Sequence, residues 1–213
     1  MPRPKSTDTE ATRQAIATAA ENMFRSVGYS KTTLADVAAR LGMSPANIYR
    51  FFRSKQEING CICDRLIMEY ENTWPDSIDP GAPAAENLPR LLLACHRHIR
   101  SKILSNTGVY DMFVAAAEQN WPVMLEHMSR MVVFLAGIVQ AGVDRGQVLP
   151  CDTNRVATLL LQAMSPFLDP RRIARTIKDS VSLGVEEHME SDLEAIVSLL
   201  LRGLSPLLPP LAI

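Results

Sequence analysis

The chain has 213 residues, of which 47% are hydrophobic and only 6% aromatic, and its net charge is −1. This length and apolar content allow a sizeable core in one large or two small domains and exclude a disordered chain. The apolar runs fall short of the ~20 residues of a membrane span. The polar start MPRPKSTDTEATRQ lacks a signal-peptide core, so we expect a cytoplasmic protein.

Residues 1–9 are predicted to be a flexible basic arm that carries Arg3 and Lys5. Such an arm is either a disordered terminus or a segment that reaches a DNA groove or phosphate. From about Thr9 to Val27 the apolar residues follow helical spacing, and Gly28 lies where a helix ends.

The stretch 33–52 has the pattern of a helix-turn-helix. Thr33 is placed to cap a short helix, and Gly42 follows the last apolar residue of that helix. Ser44-Pro45 then starts a second helix with a cap and a proline at its first position. In a helix-turn-helix the second helix lies in the DNA major groove.

The second helix is predicted to span Pro45 to Phe52, with Ile48 and Phe52 on its packing side. Its outer face offers an amide, a phenol and guanidiniums for bases and phosphates. Ser54-Lys55-Gln56-Glu57 is predicted to be a capping box that opens a third helix, with Lys55 placed to hold a phosphate. The predicted DNA-binding residues are Thr33, Ser44, Pro45, Ala46, Asn47, Tyr49, Arg50, Phe51 and Lys55.

The charge is distributed unevenly along the chain. Residues 1–55 carry nine Lys/Arg and four Asp/Glu, a net charge of +5, whereas the remainder carries −6. Clustered positive charge supplies the sequence-independent attraction to phosphate, and the acidic remainder is repelled by the duplex.

The spacing of these residues resembles a known family. Matching positions include Gly28-Tyr29, Thr33-Leu34, Ile48-Tyr49, Phe51-Phe52 and Ser54-Lys55. They resemble the DNA-binding domain of the TetR family of bacterial transcriptional regulators over about Glu10 to Tyr70. The family more often has Gly-Thr where this chain has Ala46-Asn47, a difference that concerns which operator is read. The resemblance implies a homodimer that binds double-stranded DNA and an unknown small-molecule effector.

The third helix is predicted to run from Ser54 to about Trp74, where Pro75 and a stretch of breakers end it. We therefore expect a DNA-binding domain at 10–70, a linker at 75–85 and a regulatory and dimerisation domain at 86–213. Beyond the linker every segment has helical spacing, and no strand alternation occurs, so the predicted fold is all-α with about nine helices.

Two sets of residues in the second domain are candidate contacts. Methionines and rings at helical spacing favour an adaptable apolar ligand pocket, although the same pattern is typical of plain core. The candidate pocket residues are His96, Met112, Phe113, Trp121, Met124, Met128, Met131, Phe134, Met164 and Phe167. Asp152 is predicted to cap a helix at 152–167, and a capping box at 191–194 is predicted to open a helix at 191–204. These two helices offer surplus apolar surface for a dimer contact. Its candidate residues are Leu159, Leu160, Ala163, Ile196, Leu199, Leu200 and Gly203.

Enzymatic, metal and cofactor sites find little support in the sequence. The four histidines lie outside HExxH and GxSxG patterns, and no glycine-rich phosphate loop occurs. Cys61, Cys63, Cys95 and Cys151 lack metal-finger spacing and are interpreted as buried structural cysteines. We therefore predict no enzyme, no metal site and no cofactor.

The function predicted from the sequence is a homodimeric repressor that binds a palindromic operator and is released by a small apolar or amphipathic effector. The sign of regulation comes from the family resemblance alone. Two alternatives remain at this point: a DNA-binding dimer with a purely structural C-terminal domain, and a family member that acts as an activator.

Overall fold

The structure is a computed structural model that describes residues 6–180 and 188–203. Within these ranges it is all-α, as predicted, with eleven α-helices. They are α1 (Ser6–Val27), α2 (Leu34–Arg40), α3 (Pro45–Ile48), α4 (Lys55–Glu71), α5 (Ala84–His98), α6 (Thr107–Glu118), α7 (Pro122–Asp144), α8 (Thr153–Ala163), α9 (Ser165–Leu168), α10 (Pro170–Ser180) and α11 (Met189–Arg202). A 3₁₀ turn (Pro75–Ser77) follows α4, and a π-helical segment (Ile99–Leu104) follows α5.

The chain divides into two compact units, Met1–Glu69 with Ile103–Met124, and Tyr70–Lys102 with Leu125–Ile213. We call them the first unit and the second unit. The first unit combines α1–α3, most of α4, and α6. Side chains that are completely buried at its centre include Ile16, Phe24, Ile48, Phe52, Ile58 and Ile62.

Helix α6 belongs to the first unit because it packs closely on α1. At Gly108 of α6 an added Cβ would coincide with the Phe24 carbonyl oxygen, so only glycine permits this approach. Asn59 of α4 donates its side-chain amide to the Met112 carbonyl oxygen at 3.2 Å. The division into 10–70 and 86–213 stays a prediction, but helical spacing could not reveal that α6 packs on α1, because it does not show which neighbour a helix packs against.

The second unit is built around α5, whose residues Leu88, Leu91 and Leu92 are completely buried. Helix α11 packs along α5 through the buried residues Leu193 and Val197, and α9 joins the same layer. Asp152 caps α8 by accepting the Arg155 N–H at 3.0 Å, which confirms the predicted cap.

Several helix ends differ from the sequence prediction. Helix α1 begins at Ser6, so residues 6–9 are helical, whereas residues 1–5 of the predicted arm lie outside the described ranges. Helix α11 begins at Met189 and not at Ser191, whose hydroxyl donates to the His188 carbonyl oxygen at 2.9 Å. The predicted capping box at 191–194 is therefore wrong. Residues 204–213 of the predicted C-terminal domain also lie outside the described ranges.

Helix α7 is long and apolar, with an 18-residue window of mean hydropathy 1.4. By length and composition it could cross a bilayer, but core helices of globular proteins pass the same test, so it is weak evidence for a membrane. Part of its apolar surface is exposed, since Leu125, Met128 and Val133 are 56%, 46% and 68% exposed.

The cysteines differ in burial. Cys63 and Cys95 are buried as predicted, and burial raises the pKa of each thiol to about 12. Cys61 is half-buried and Cys151 is exposed, so the prediction of buried cysteines is wrong for Cys151. Within residues 6–180 and 188–203 no group of three or more His, Cys, Asp or Glu side chains is arranged to hold a metal ion.

Candidate nucleic-acid interface

The first helix of the predicted motif has a complete N-terminal cap. The Thr33 hydroxyl oxygen accepts the Asp36 N–H at 3.2 Å, while the Asp36 carboxylate accepts the Thr33 N–H at 2.8 Å. These bonds to Thr33 lower the pKa of Asp36, so the carboxylate stays charged at the helix N-terminus. Gly42, with φ of 64°, then makes the left-handed turn into α3. Both features of the predicted turn are thereby confirmed.

Helix α3 is short but its faces are clearly divided. Ser44 caps it by accepting the Asn47 N–H at 3.3 Å. The α-helical part ends at Ile48, and tighter turns carry the chain to Phe51, so the predicted helix 45–52 is only partly α-helical. Ile48 and Phe52 are completely buried, as predicted. Ser44, Pro45, Ala46, Tyr49, Arg50 and Arg53 are exposed, and Asn47 and Phe51 are half-buried.

Residues 45–52 form the segment that would face DNA, and we call them the reading segment. Arg13 of α1 holds the end of this segment, a role that the sequence prediction missed. Its guanidinium donates to the Phe51 carbonyl oxygen and lies 4.0 Å from the centre of the Phe52 ring. It also pairs with the Glu57 carboxylate at 3.3 Å. Glu57 in turn accepts the Arg53 N–H at 2.7 Å, a bond that lowers the pKa of its carboxyl group. The segment that presents Tyr49 and Arg50 is thus fixed at its far end by an ionic pair.

The Ser54 cap is half of the predicted box. Its hydroxyl oxygen accepts the Glu57 N–H at 3.1 Å, but the Glu57 carboxylate reaches back to Arg53 and not to Ser54. The predicted reciprocal bond is therefore shifted by one residue.

Lys55 is already engaged within the chain. Its ammonium donates to the carbonyl oxygens of Tyr29 at 2.8 Å, Thr32 at 3.1 Å and Ser30 at 3.4 Å. It also lies 4.4 Å from the centre of the Tyr29 ring, and burial lowers its pKa. All three ammonium protons have intramolecular acceptors, so the structure gives Lys55 the role of closing the loop between α1 and α2. A phosphate contact would compete with these bonds.

Comparison with known proteins agrees with this geometry. Residues 16–59 match the model described as bacterial regulatory proteins, tetR family, and residues 84–197 match that of the tetracyclin repressor-like C-terminal domain. The chain belongs to the TetR family.

Individual TetR-family proteins show the same similarity. An uncharacterized HTH-type transcriptional regulator of Bacillus subtilis, YhgD, is 24% identical over 70% of this chain and 78% of its own length. A TetR-family regulator from Pectobacterium atrosepticum superposes with a TM-score of 0.72 at 17% identity, covering 95% of this chain and 98% of that one. A TetR/AcrR-family regulator from Thermobifida fusca superposes with a TM-score of 0.61 at 21% identity, covering 91% of this chain and 98% of that one. The chain is thus a DNA-binding transcriptional regulator, and α2–α3 is its helix-turn-helix.

The candidate pocket residues of this TetR-family protein are divided between the two units. Met112, Phe113, Trp121 and Met124 lie in the first unit, whereas His96, Met128, Met131, Phe134, Met164 and Phe167 lie in the second. Within the second unit the structure brings His96 and Phe167 together, with His96 Nδ1 2.8 Å from the Phe167 carbonyl oxygen. Met128 does not join them. It shares the spacing of Met131 and Leu135, but among the described residues it is 46% exposed, whereas Met131 and Leu135 are buried.

The candidate dimer residues are mostly exposed in the single chain. Leu159, Leu199 and Leu200 are 47%, 65% and 39% exposed, Ala163 and Gly203 are exposed, and Ile196 is half-buried. Leu160 is the exception at 3%, because it faces the core of its own chain, and it can contribute little to a contact.

A polar and aromatic cluster in the second unit was missed by the sequence reasoning. The Glu71 carboxylate bridges His127 Nδ1 at 2.7 Å and Arg130 Nε at 2.6 Å. Beside it, the Tyr70 ring stacks on His98 with centroids 4.0 Å apart and meets Trp74 edge-on. The Tyr70 hydroxyl and Trp74 Nε1 are buried without a hydrogen-bond partner. Pairs that are remote in sequence leave no local pattern, so only the ring-rich end of α4 hinted at this cluster.

Proposed function

We propose that this TetR-family regulator is a cytoplasmic repressor. It binds a palindromic operator as a homodimer and leaves the operator when a small apolar or amphipathic molecule binds its second unit. The observation that carries the proposal is the division of α3: Ile48 and Phe52 are completely buried, while Tyr49 and Arg50 are exposed in a segment whose end Arg13 holds. Such a segment can present side chains to base edges in a fixed register.

Dimerisation is supported by exposed apolar side chains on α8 and α11. One reading helix contacts too few bases for specificity, and a two-fold axis would place two such helices on half-sites about 34–36 Å apart. The exposed leucines Leu159, Leu199 and Leu200 are costly on a monomer and suit a self-complementary contact.

Effector binding is supported by buried polar atoms in the second unit. His96 Nε2 is buried without a partner, as are the Tyr70 hydroxyl and Trp74 Nε1, and the same unit buries apolar side chains such as Met131 and Met164. Each could hydrogen bond to one polar group of an otherwise apolar molecule. A ligand changes operator affinity only by its differential affinity for the two states, and ~1–3 kcal/mol gives roughly 5–150-fold release.

Operator reading is tested with duplexes selected from a random library by the full-length protein. Arg50→Ala and Asn47→Ala should lose ~1–3 kcal/mol on the selected duplex and much less on random DNA. Arg175→Ala removes an exposed arginine of the second unit and serves as the matched control, with no change expected. Equal losses on both duplexes for Arg50→Ala and Asn47→Ala would contradict the proposed reading role.

Assembly is tested by sedimentation. Leu199→Glu should give a folded monomer, because it places a charge in the proposed contact. Val133→Glu, at a residue that is 68% exposed on α7, should leave the dimer intact. A monomeric unmodified chain at micromolar concentration would refute the homodimer.

The effector is tested by measuring thermal stability and operator binding together for a library of apolar compounds. Compounds that raise the melting temperature should release the operator. Stabilising compounds that leave operator affinity unchanged would favour the alternative of a structural C-terminal domain. A reporter gene whose expression falls when the regulator is deleted would favour the activator.

A further inference from the structure

An open cleft of about 530 Å³ lies within the first unit. Its lining comes from α1, from the N-terminal half of α4 and from the turn that joins α6 to α7. The residues are Arg13, Gln56, Glu57, Gly60, Cys61, Asp64, Trp121, Pro122 and Val123. The cleft is wide open to solvent, so it can cover one face of a flat molecule and does not enclose it.

Gly60 lies in this lining, and neither the backbone nor the packing requires a glycine there. It is in the interior of α4, it is not among the residues with a positive φ, and an added Cβ would meet no atom within 4 Å. Glycine in a helix interior costs about 0.5–1 kcal/mol relative to alanine. The bare backbone leaves room for a flat molecule to lie over α4 at this point.

The charge of the cleft favours a cation. Asp64 is one helical turn beyond Gly60, and its carboxylate has no hydrogen bond or ion pair within the described part of the chain. Glu57, one turn before, is paired with Arg13, which is the one cationic side chain of the lining. Trp121 adds an aromatic ring, held by its N–H bond to Gln119 Oε1 at 3.1 Å. Aromatic faces attract cations, most strongly when water is displaced.

We propose that this cleft binds a small organic ammonium ion with a flat apolar body. The body lies over Gly60 against Trp121, and the ammonium group pairs with Asp64. This site lies in the DNA-binding unit and is separate from the effector proposed for the second unit.

Binding here acts on the reading segment through Arg13. The same guanidinium that lines the cleft donates to the Phe51 carbonyl oxygen and packs on Phe52. A second cation bound in the same cleft repels the Arg13 guanidinium and loosens its hold on the segment. The ammonium ion therefore lowers operator affinity, and the operator lowers ammonium affinity by the same factor.

The test uses three probes of one shape: 2-phenylethylamine, 2-phenylethanol and phenylacetate. The chain has two tryptophans, so Trp74→Phe leaves Trp121 as the reporter of the cleft. We expect the amine to bind at least ~10-fold more tightly than phenylacetate, with the alcohol between them. Asp64→Asn should weaken the amine ~5–10-fold and leave the alcohol unchanged. Calorimetry on the unmodified chain should give the same order.

Gly60→Leu fills the cleft and should abolish binding of the amine and the alcohol. Gly137→Leu is the matched control, since Gly137 is also a helix-interior glycine with no atom within 4 Å of an added Cβ, but it lies on α7. Both variants should keep or raise the melting temperature. Saturating amine should raise the operator dissociation constant at least ~3-fold in the unmodified chain and not in Gly60→Leu.

Amine binding that survives both Gly60→Leu and Asp64→Asn would overturn the site. Equal affinity for the amine and phenylacetate would overturn the ligand class. Amine binding at the cleft with an unchanged operator dissociation constant would overturn the action through Arg13.

Discussion

The two units treat their buried polar groups differently. In the first unit the nearly buried Glu21 pairs with Arg25 and Arg65, and the buried Asn59 bonds to a carbonyl oxygen of α6. Among the described residues, the buried side-chain atoms without a hydrogen-bond partner lie in the second unit, at Tyr70, Trp74 and His96.

This contrast has a physical meaning. A fully paired polar network fixes one arrangement, whereas a buried group without a partner costs ~1–3 kcal/mol. A reading segment must keep its register on DNA, and the first unit meets that need. The second unit gives up stability that a bound molecule with matching polar groups would restore.

The largest expected effect comes from Gly108, where α6 joins the first unit. Gly108→Ala places a methyl group on the Phe24 carbonyl oxygen and should cost ~3 kcal/mol or more, measured by urea unfolding. Gly137→Ala, in open space, should gain up to ~1 kcal/mol. Similar changes in unfolding free energy for the two variants would contradict the close packing of α6 on α1.

A smaller loss is expected at Lys55. Lys55→Met keeps the aliphatic stem but leaves three carbonyl oxygens without their donor, and should cost ~1–3 kcal/mol of unfolding free energy. Binding to selected and random duplexes should weaken together because the loop at 29–32 is released. Unchanged stability with weaker DNA binding would instead assign Lys55 to phosphate, as the sequence predicted.

The opposite sign is expected at Tyr70. Tyr70→Phe removes a buried hydroxyl that makes no hydrogen bond of normal length and angle, so the unfolding free energy should stay constant or rise by up to ~1.5 kcal/mol. Asn59→Leu is the counterpart in the first unit, because the buried Asn59 amide donates to the Met112 carbonyl oxygen at 3.2 Å, and it should destabilise. A destabilising Tyr70→Phe would erase the contrast between the units.

The smallest expected effect is a difference in pH dependence. Burial lowers the pKa of His96, His98 and His127, all in the second unit. Since their folded-state pKa values lie below the unfolded value of ~6.5, their contribution to stability is complete above that pH. It is lost as the pH falls through the folded-state values.

The first unit contains no histidine, and its lowered carboxyl pKa values, at Asp36 and Glu57, matter only below about pH 5. Melting curves at pH 7.5 and 5.5 should therefore separate the units. Trp121→Phe leaves Trp74 to report the second unit, which should lose stability at pH 5.5, and Trp74→Phe leaves Trp121 to report the first, which should not. An equal fall in melting temperature for both reporters would contradict the assignment of the pH dependence to the histidines of the second unit.

The sequence predicted local features well, because caps, glycine turns and apolar spacing act within a few residues. Thr33, Gly42, Ser44 and Asp152 have the predicted roles, and Ile48 and Phe52 are buried as predicted. The errors concern contacts between remote segments. Neither the bond from Arg13 to Phe51 nor the pairing of Glu71 with His127 follows from spacing. The bonds of Lys55 to three carbonyl oxygens and the exposure of Met128 were also not foreseen, because a pattern gives the direction of a side chain but not what lies there.

The membership of α6 in the first unit has a consequence for biosynthesis. Translation delivers residues 1–69 first, but the helix that packs on α1 and accepts the Asn59 amide emerges only after residues 70–102. During translation the first unit therefore cannot complete its core until residue 124 has left the ribosomal exit tunnel. Until then, the surface of α1 that contacts α6 stays exposed to solvent. For the same reason, a chimeric regulator that takes only residues 1–70 from this chain would lack the helix that packs on α1. A stable chimera would have to include residues 103–124 as well.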